Sequence, residues 1–102
     1  MTEKHVIGRV YPQRPDTIRV ASDSPILLVA GSIAKRIRKV GTADLRAVGA
    51  TAVNNAVKSI TIAQSYLWDE GIHLSYMSHF EDIDLDGSVI TSICFEVTIL
   101  KT

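Results

Sequence analysis

The chain has 102 residues, of which 46% are apolar and 22% charged, a balance that fits one globular domain and excludes the composition of a disordered tail. A chain of this size buries roughly 65% of its unfolded surface, enough for a two-layer core and too little for a large enclosed active site. The single cysteine, Cys94, excludes an internal disulfide, and no apolar run approaches the ~20 residues of a membrane-spanning helix.

The first residues lack the apolar core of a signal peptide, so the expected compartment is the cytoplasm, with no membrane partner. A net charge of zero conceals a split: residues 1–58 carry +6 and residues 59–102 carry −6. That asymmetry fits a basic surface that meets a partner, self-association by opposite ends, or charges interleaved by folding.

In chain order, residues 1–16 contain Pro12 and Pro15 and read as an N-terminal extension, with a lead-in strand over residues 5–11, ahead of a domain over residues 17–102. Residues 17–21 alternate Ile18 and Val20 with Arg19, the period of a half-buried strand. Ser24 is placed to cap a first helix, with Pro25 at its first position. Val29, Ile33, Ile37 and Val40 recur at helical spacing until Gly41 ends the helix near Lys39, while Lys35, Arg36, Arg38 and Lys39 occupy the remaining surface.

A second strand is expected over residues 44–48, with Leu45 and Ala47 on one face and Arg46 on the other. It runs through Gly49 into an alanine-rich helix over residues 50–69, whose apolar stripe is Val53, Val57, Ile60 and Leu67, widened by Ala52, Ala56 and Ala63. After Gly71, Ile72, Leu74 and Tyr76 alternate with polar residues, as do Val89, Thr91, Ile93, Phe95, Val97 and Ile99. These two strands form a hairpin around an Asp86-Gly87 turn. The resulting order, βαβαββ, is an α/β two-layer sandwich with two helices packed on one face of a four-stranded mixed sheet.

Two blocks, VAGSIA at residues 29–34 and AVGATAVNNAVKSI at residues 47–60, resemble the stage V sporulation protein S family, whose members share the Alba-like fold. The resemblance extends over about residues 17–102. It implies a developmental, regulatory role, and relatives with this fold use basic residues near the first helix and second strand to grip nucleic-acid phosphates. The chain departs from that pattern at Asp23, at the apolar helix start Ile26-Leu27-Leu28, and in a final hairpin that carries Glu81, Asp82, Asp84 and Asp86 where a basic arm is usual. An acidic arm is repelled by a duplex backbone.

Little points to catalysis. His73, Met77, His79 and Cys94 fall together on the open sheet face, but no spacing defines a closed metal site. Residues 82–87 begin like a calcium loop, yet Ile93 stands where the bidentate glutamate is needed. Cys94 has no neighbouring base in sequence, the serines lack a nucleophile elbow, and the glycines at 31, 41 and 49 are too isolated to cradle a phosphate. No enzyme, cofactor or metal is expected.

The expected function is phosphate binding on DNA or RNA by Arg19, Lys35, Arg36, Arg38, Lys39, Arg46 and Lys58. The alternative is an oligomeric protein-interaction module without nucleic-acid binding. Ile26 and Leu27, on a helix start that is apolar all round, then form an interface in a homodimer or larger assembly.

Overall fold

The computed structural model describes residues 16–101, so the expected lead-in strand and extension lie outside the described residues apart from Asp16. The elements are β1 (Ile18–Val20), α1 (Ile26–Val40), β2 (Thr42–Ala47), α2 (Ala50–Leu67), a single 3-10 turn (Trp68–Glu70), β3 (Leu74–Leu85) and β4 (Ser88–Ile99). They form one four-stranded sheet in the order β1-β2-β4-β3. β1 is parallel to β2 through the α1 crossover, and β4 is antiparallel to both β2 and β3. This is the expected mixed sheet with its two helices.

Alternation divides every strand between two faces. Val20, Ala43, Leu45, Ala47, Phe95 and Val97 turn inward and are at most 4% exposed. They meet Val29, Ala30, Ile33, Ala34 and Ile37 of α1 and Ala52, Ala56, Ile60, Ala63 and Leu67 of α2. Tyr76 adds an edge-to-face contact with Phe95, with ring centroids 5.4 Å apart. On α2 the buried line runs through the alanines and Ser59, while Val53 and Val57 pack only partly against the core. Small side chains let the helix axis come close to its neighbours, which moves the buried stripe off the larger valines.

The element ends follow local chemistry. Ser24 does not cap α1: Pro25 holds the cap position, and its carbonyl accepts the first helical bond from the Val29 N–H at 3.0 Å. Ser24 instead closes the β1–α1 turn, its Oγ accepting the Ala21 N–H at 2.8 Å and its own N–H donating to the Ala21 carbonyl at 3.2 Å. Gly41, at φ 81°, ends α1 as expected, and β2 starts immediately after it, two residues earlier than the pattern predicts, because Thr42 already pairs with Thr98. Val48 falls outside the strand. Asp86 and Gly87 both have positive φ, 52° and 84°, as a two-residue hairpin turn with the twist of its strands requires.

Three polar residues of α2 fix the layers to each other. The buried Asn55 donates from Nδ2 to the carbonyls of Ala21 and Ser22, at 3.2 and 3.1 Å. Ser59 donates from Oγ to its own helix at the Asn55 carbonyl, 2.8 Å away, and lies 3.4 Å from the Ile26 carbonyl of α1. Gln64 donates to the Ile72 carbonyl at 2.8 Å and accepts the Leu74 N–H at 2.6 Å, which sets where β3 starts.

Candidate nucleic-acid interface

On the sheet face away from the helices, Arg19 of β1 sits in register with Arg46 of β2. Beside them is a cleft of about 420 Å³ lined by Arg19, Val20, Ala21, Ser22, Arg46, Val48 and Ile83. Its floor is strand, one wall is the β1–α1 turn held by Asn55, and the other is the hairpin. The hairpin reaches there because β4 pairs with β2 only from Ile93 to Thr98, so its first five residues and their β3 partners project as a two-stranded arm.

The seven expected cations do not converge. Arg46 is 7% exposed and pairs with the buried Glu81, so its guanidinium is engaged inside the sheet face, although it also lines the cleft. Arg38 is gripped by Glu70, with Nη2 2.7 Å from Oε2 and Nε 3.0 and 3.1 Å from the two carboxylate oxygens. That charge-assisted hydrogen bonding raises the Arg38 pKa further and holds the Glu70 carboxyl below the usual carboxylate range. Arg36 lies 3.5 Å from Asp16. Among the described residues, Lys35, Lys39, Lys58 and Arg19 are exposed and have no carboxylate within ion-pair distance. Helical spacing and burial put Lys35 and Lys39 on the solvent side of α1 and Lys58 on that of α2, whereas Arg19 is on the opposite sheet face.

The acidic arm is less bare than its sequence. Glu81 is neutralised by Arg46, an Asp82 carboxylate oxygen accepts the Thr91 hydroxyl at 2.9 Å, and an Asp84 oxygen accepts the Gly87 N–H at 3.1 Å. The calcium-like segment is therefore strand and turn. Next to Glu81, His79 has Nε2 3.6 Å from a Glu81 oxygen and Nδ1 3.3 Å from a Glu96 oxygen. Cys94, directly across from His79, is a buried free thiol whose pKa is raised by burial, against an opposing hydrogen bond from Arg46. His73 stands apart, its ring edge-on to Trp68 at 4.9 Å.

Of the two expected interface residues, Ile26 is half-buried and Leu27 is 65% exposed; Leu28 beside them is 71% exposed. Reasoning from sequence missed Glu81 and Asn55. Glu81 shares strand parity with His79, which was the available signal, but its meeting with Arg46 depends on β4 lying between β2 and β3. Asn55 reads as one more polar residue on a helix.

The fold is that of a small Alba-like α/β protein: the solved structure of Alba from Thermoplasma volcanium is similar over 83% of this chain and 99% of that one, with a TM-score of 0.55 and 15% identity. The sequence profile of the stage V sporulation protein S family matches residues 16–100. The chain belongs to that family. No described helix is long and apolar enough to cross a membrane.

Proposed function

We propose that this chain is a non-catalytic, regulatory nucleic-acid-binding protein that acts in a developmental process. The supporting observation is the cleft between the β1–α1 turn and the hairpin arm, where Arg19 offers an exposed guanidinium beside a turn held by Asn55. Arg19 contacts phosphate there, while Lys35, Lys39 and Lys58 on the helix layer draw the polyanion in through their longer-range field. The reading rests on phosphate contacts, so binding is governed by charge.

Labelled duplex DNA and single-stranded RNA, titrated with the protein at low and physiological salt, test this reading. Affinity should fall steeply with salt, and Arg19→Ala should weaken binding about tenfold and flatten the log–log salt slope by about one. Lys35→Ala/Lys39→Ala should reduce the association rate more than the lifetime. Absence of binding at low salt to either polymer overturns the reading.

A second reading rests on Leu27 and Leu28, two large apolar side chains exposed side by side at the start of α1. In it the chain is a homo-oligomeric interaction module, and Leu27→Asp converts the assembly to monomers in sedimentation while the four-cation variant of Arg19, Lys35, Lys39 and Lys58 leaves its size unchanged. A wild-type chain that is monomeric at tens of micromolar excludes it.

A further inference from the structure

The sheet face away from the helices holds a cluster that neither reading uses. His79 and Cys94 are cross-strand partners, and Glu81 lies two residues beyond His79 on the same face of β3. One ligand atom from each of the three residues lies within 4.8 Å of the other two. Glu81 and Cys94 are buried, and His79 is 22% exposed, so the group is reached from solvent on the imidazole side only. We propose that His79, Glu81 and Cys94 bind a divalent zinc-like ion, with Glu96 orienting the imidazole and a fourth position left to water.

Several independent features converge on that assignment. The donor set of imidazole nitrogen, carboxylate oxygen and thiolate sulfur is the borderline-soft mixture that suits zinc or cobalt, and does not suit calcium or magnesium, which take oxygen ligands. Tetrahedral zinc with bonds of ~2.0–2.3 Å needs ligand atoms roughly 3.3–3.8 Å apart, so closing from 4.8 Å takes about an ångström of side-chain movement. Glu96, at 3.3 Å from Nδ1, is placed as the outer carboxylate that fixes the ring of a metal-bound histidine, turning Nε2 toward Glu81. Arg46 holds one Glu81 oxygen, Oε1, and leaves Oε2 on the His79 side. Charge is also complementary: the Cys94 thiolate and the Glu81 and Glu96 carboxylates offer negative charge to a divalent ion, and the Arg46 guanidinium offsets part of it.

The test uses the reduced, chelator-stripped full chain titrated with cobalt(II), which reports thiolate ligation through a near-ultraviolet charge-transfer band. Cys94 is the one cysteine, so any such band assigns itself. The expected result is one cobalt per chain, tetrahedral visible absorption, displacement by zinc and a raised thermal midpoint. Cys94→Ser abolishes the charge-transfer band, His79→Gln weakens binding at least tenfold, and Glu96→Gln weakens it by about ten- to a hundredfold. Met77→Ala, on the same face and 72% exposed, leaves binding unchanged. In case Cys94→Ser disturbs the fold, the ring resonances of His79 in the wild-type chain give a separate readout: zinc moves them and spares those of His73. No saturable binding up to about 100 μM cobalt, half a cobalt per chain, or binding that persists in both Cys94→Ser and His79→Gln overturns the proposal.

Discussion

Arg46 on β2 reaches over β4 to form a buried ion pair with Glu81 on β3, 35 positions later in the chain. The two side chains are 7% and 6% exposed, so losing either leaves a buried charge without the counter-ion of this pair. Arg46→Ala and Glu81→Ala should each destabilise the fold by ~3–5 kcal/mol in urea unfolding, whereas Arg46→Met/Glu81→Leu together should recover most of that loss. Additive losses in the double variant would show that the pair is not a unit.

Asn55 holds the β1–α1 turn by two hydrogen bonds to the carbonyls of Ala21 and Ser22. Asn55→Ala leaves those carbonyls without that donor and should cost ~1–3 kcal/mol. The Ser24 amide, bonded to the Ala21 carbonyl, should then exchange faster with solvent while amides in β4 keep the global rate.

Gly49 turns β2 into α2 at φ 91° and ψ 157°, a region nearly closed to residues with a Cβ. An added Cβ would meet no atom within 4 Å, so the cost of Gly49→Ala is backbone strain alone, ~1–3 kcal/mol in denaturant unfolding. A neutral substitution would show that the strand-to-helix junction relaxes.

The exposed Arg38–Glu70 pair joins the end of α1 to the 3-10 turn. Because the Glu70 carboxyl is held below its ordinary range by Arg38, its contribution is present above the unfolded-state pKa and disappears as pH falls through the folded value. Glu70→Gln should therefore lower the thermal midpoint slightly at pH 7, and the difference from wild type should vanish in acid and shrink in high salt. A difference that grows on acidification would contradict the pairing.

Burial raises the Cys94 pKa, so little thiolate is present near neutrality and the sulfur is shielded. In metal-free native protein, alkylation of Cys94 should be slow and should accelerate sharply through the unfolding transition. Rapid reaction at pH 7 without unfolding would place the thiol at the surface.

The period of the sequence was enough for both helices and the hairpin, because Ile33, Ile37, Ile60 and Leu67 at helical spacing and Phe95 and Val97 at alternate positions each have one consistent burial solution. It was not enough for strand order, and what depends on β4 lying between β2 and β3 was therefore hidden: the burial of Arg46 and its pairing with Glu81. The meeting of His79 with Cys94 needs only the hairpin and its turn. Charge along the chain also misled locally, since the cations of α1 count as a single patch in sequence while Arg38 is tied to Glu70 and Arg36 to Asp16. Ser24 and Pro25 each suit a helix start, and one residue of offset decides which of them caps it.

The interior place of β4 gives the domain a late closing step. Phe95 and Val97, which complete the core, belong to the described strand made after all the others, and β2 lacks its antiparallel neighbour until they appear. During synthesis at ~5–20 residues per second the earlier elements hold the parallel β1–α1–β2 unit with α2 beside α1, while the strand that brings Phe95 and Val97 is still missing. A premature stop or proteolytic cut ahead of Ile93 therefore removes Phe95 and Val97 from the core and leaves β2 with β1 as its sheet neighbour, so no smaller version of this sheet closes.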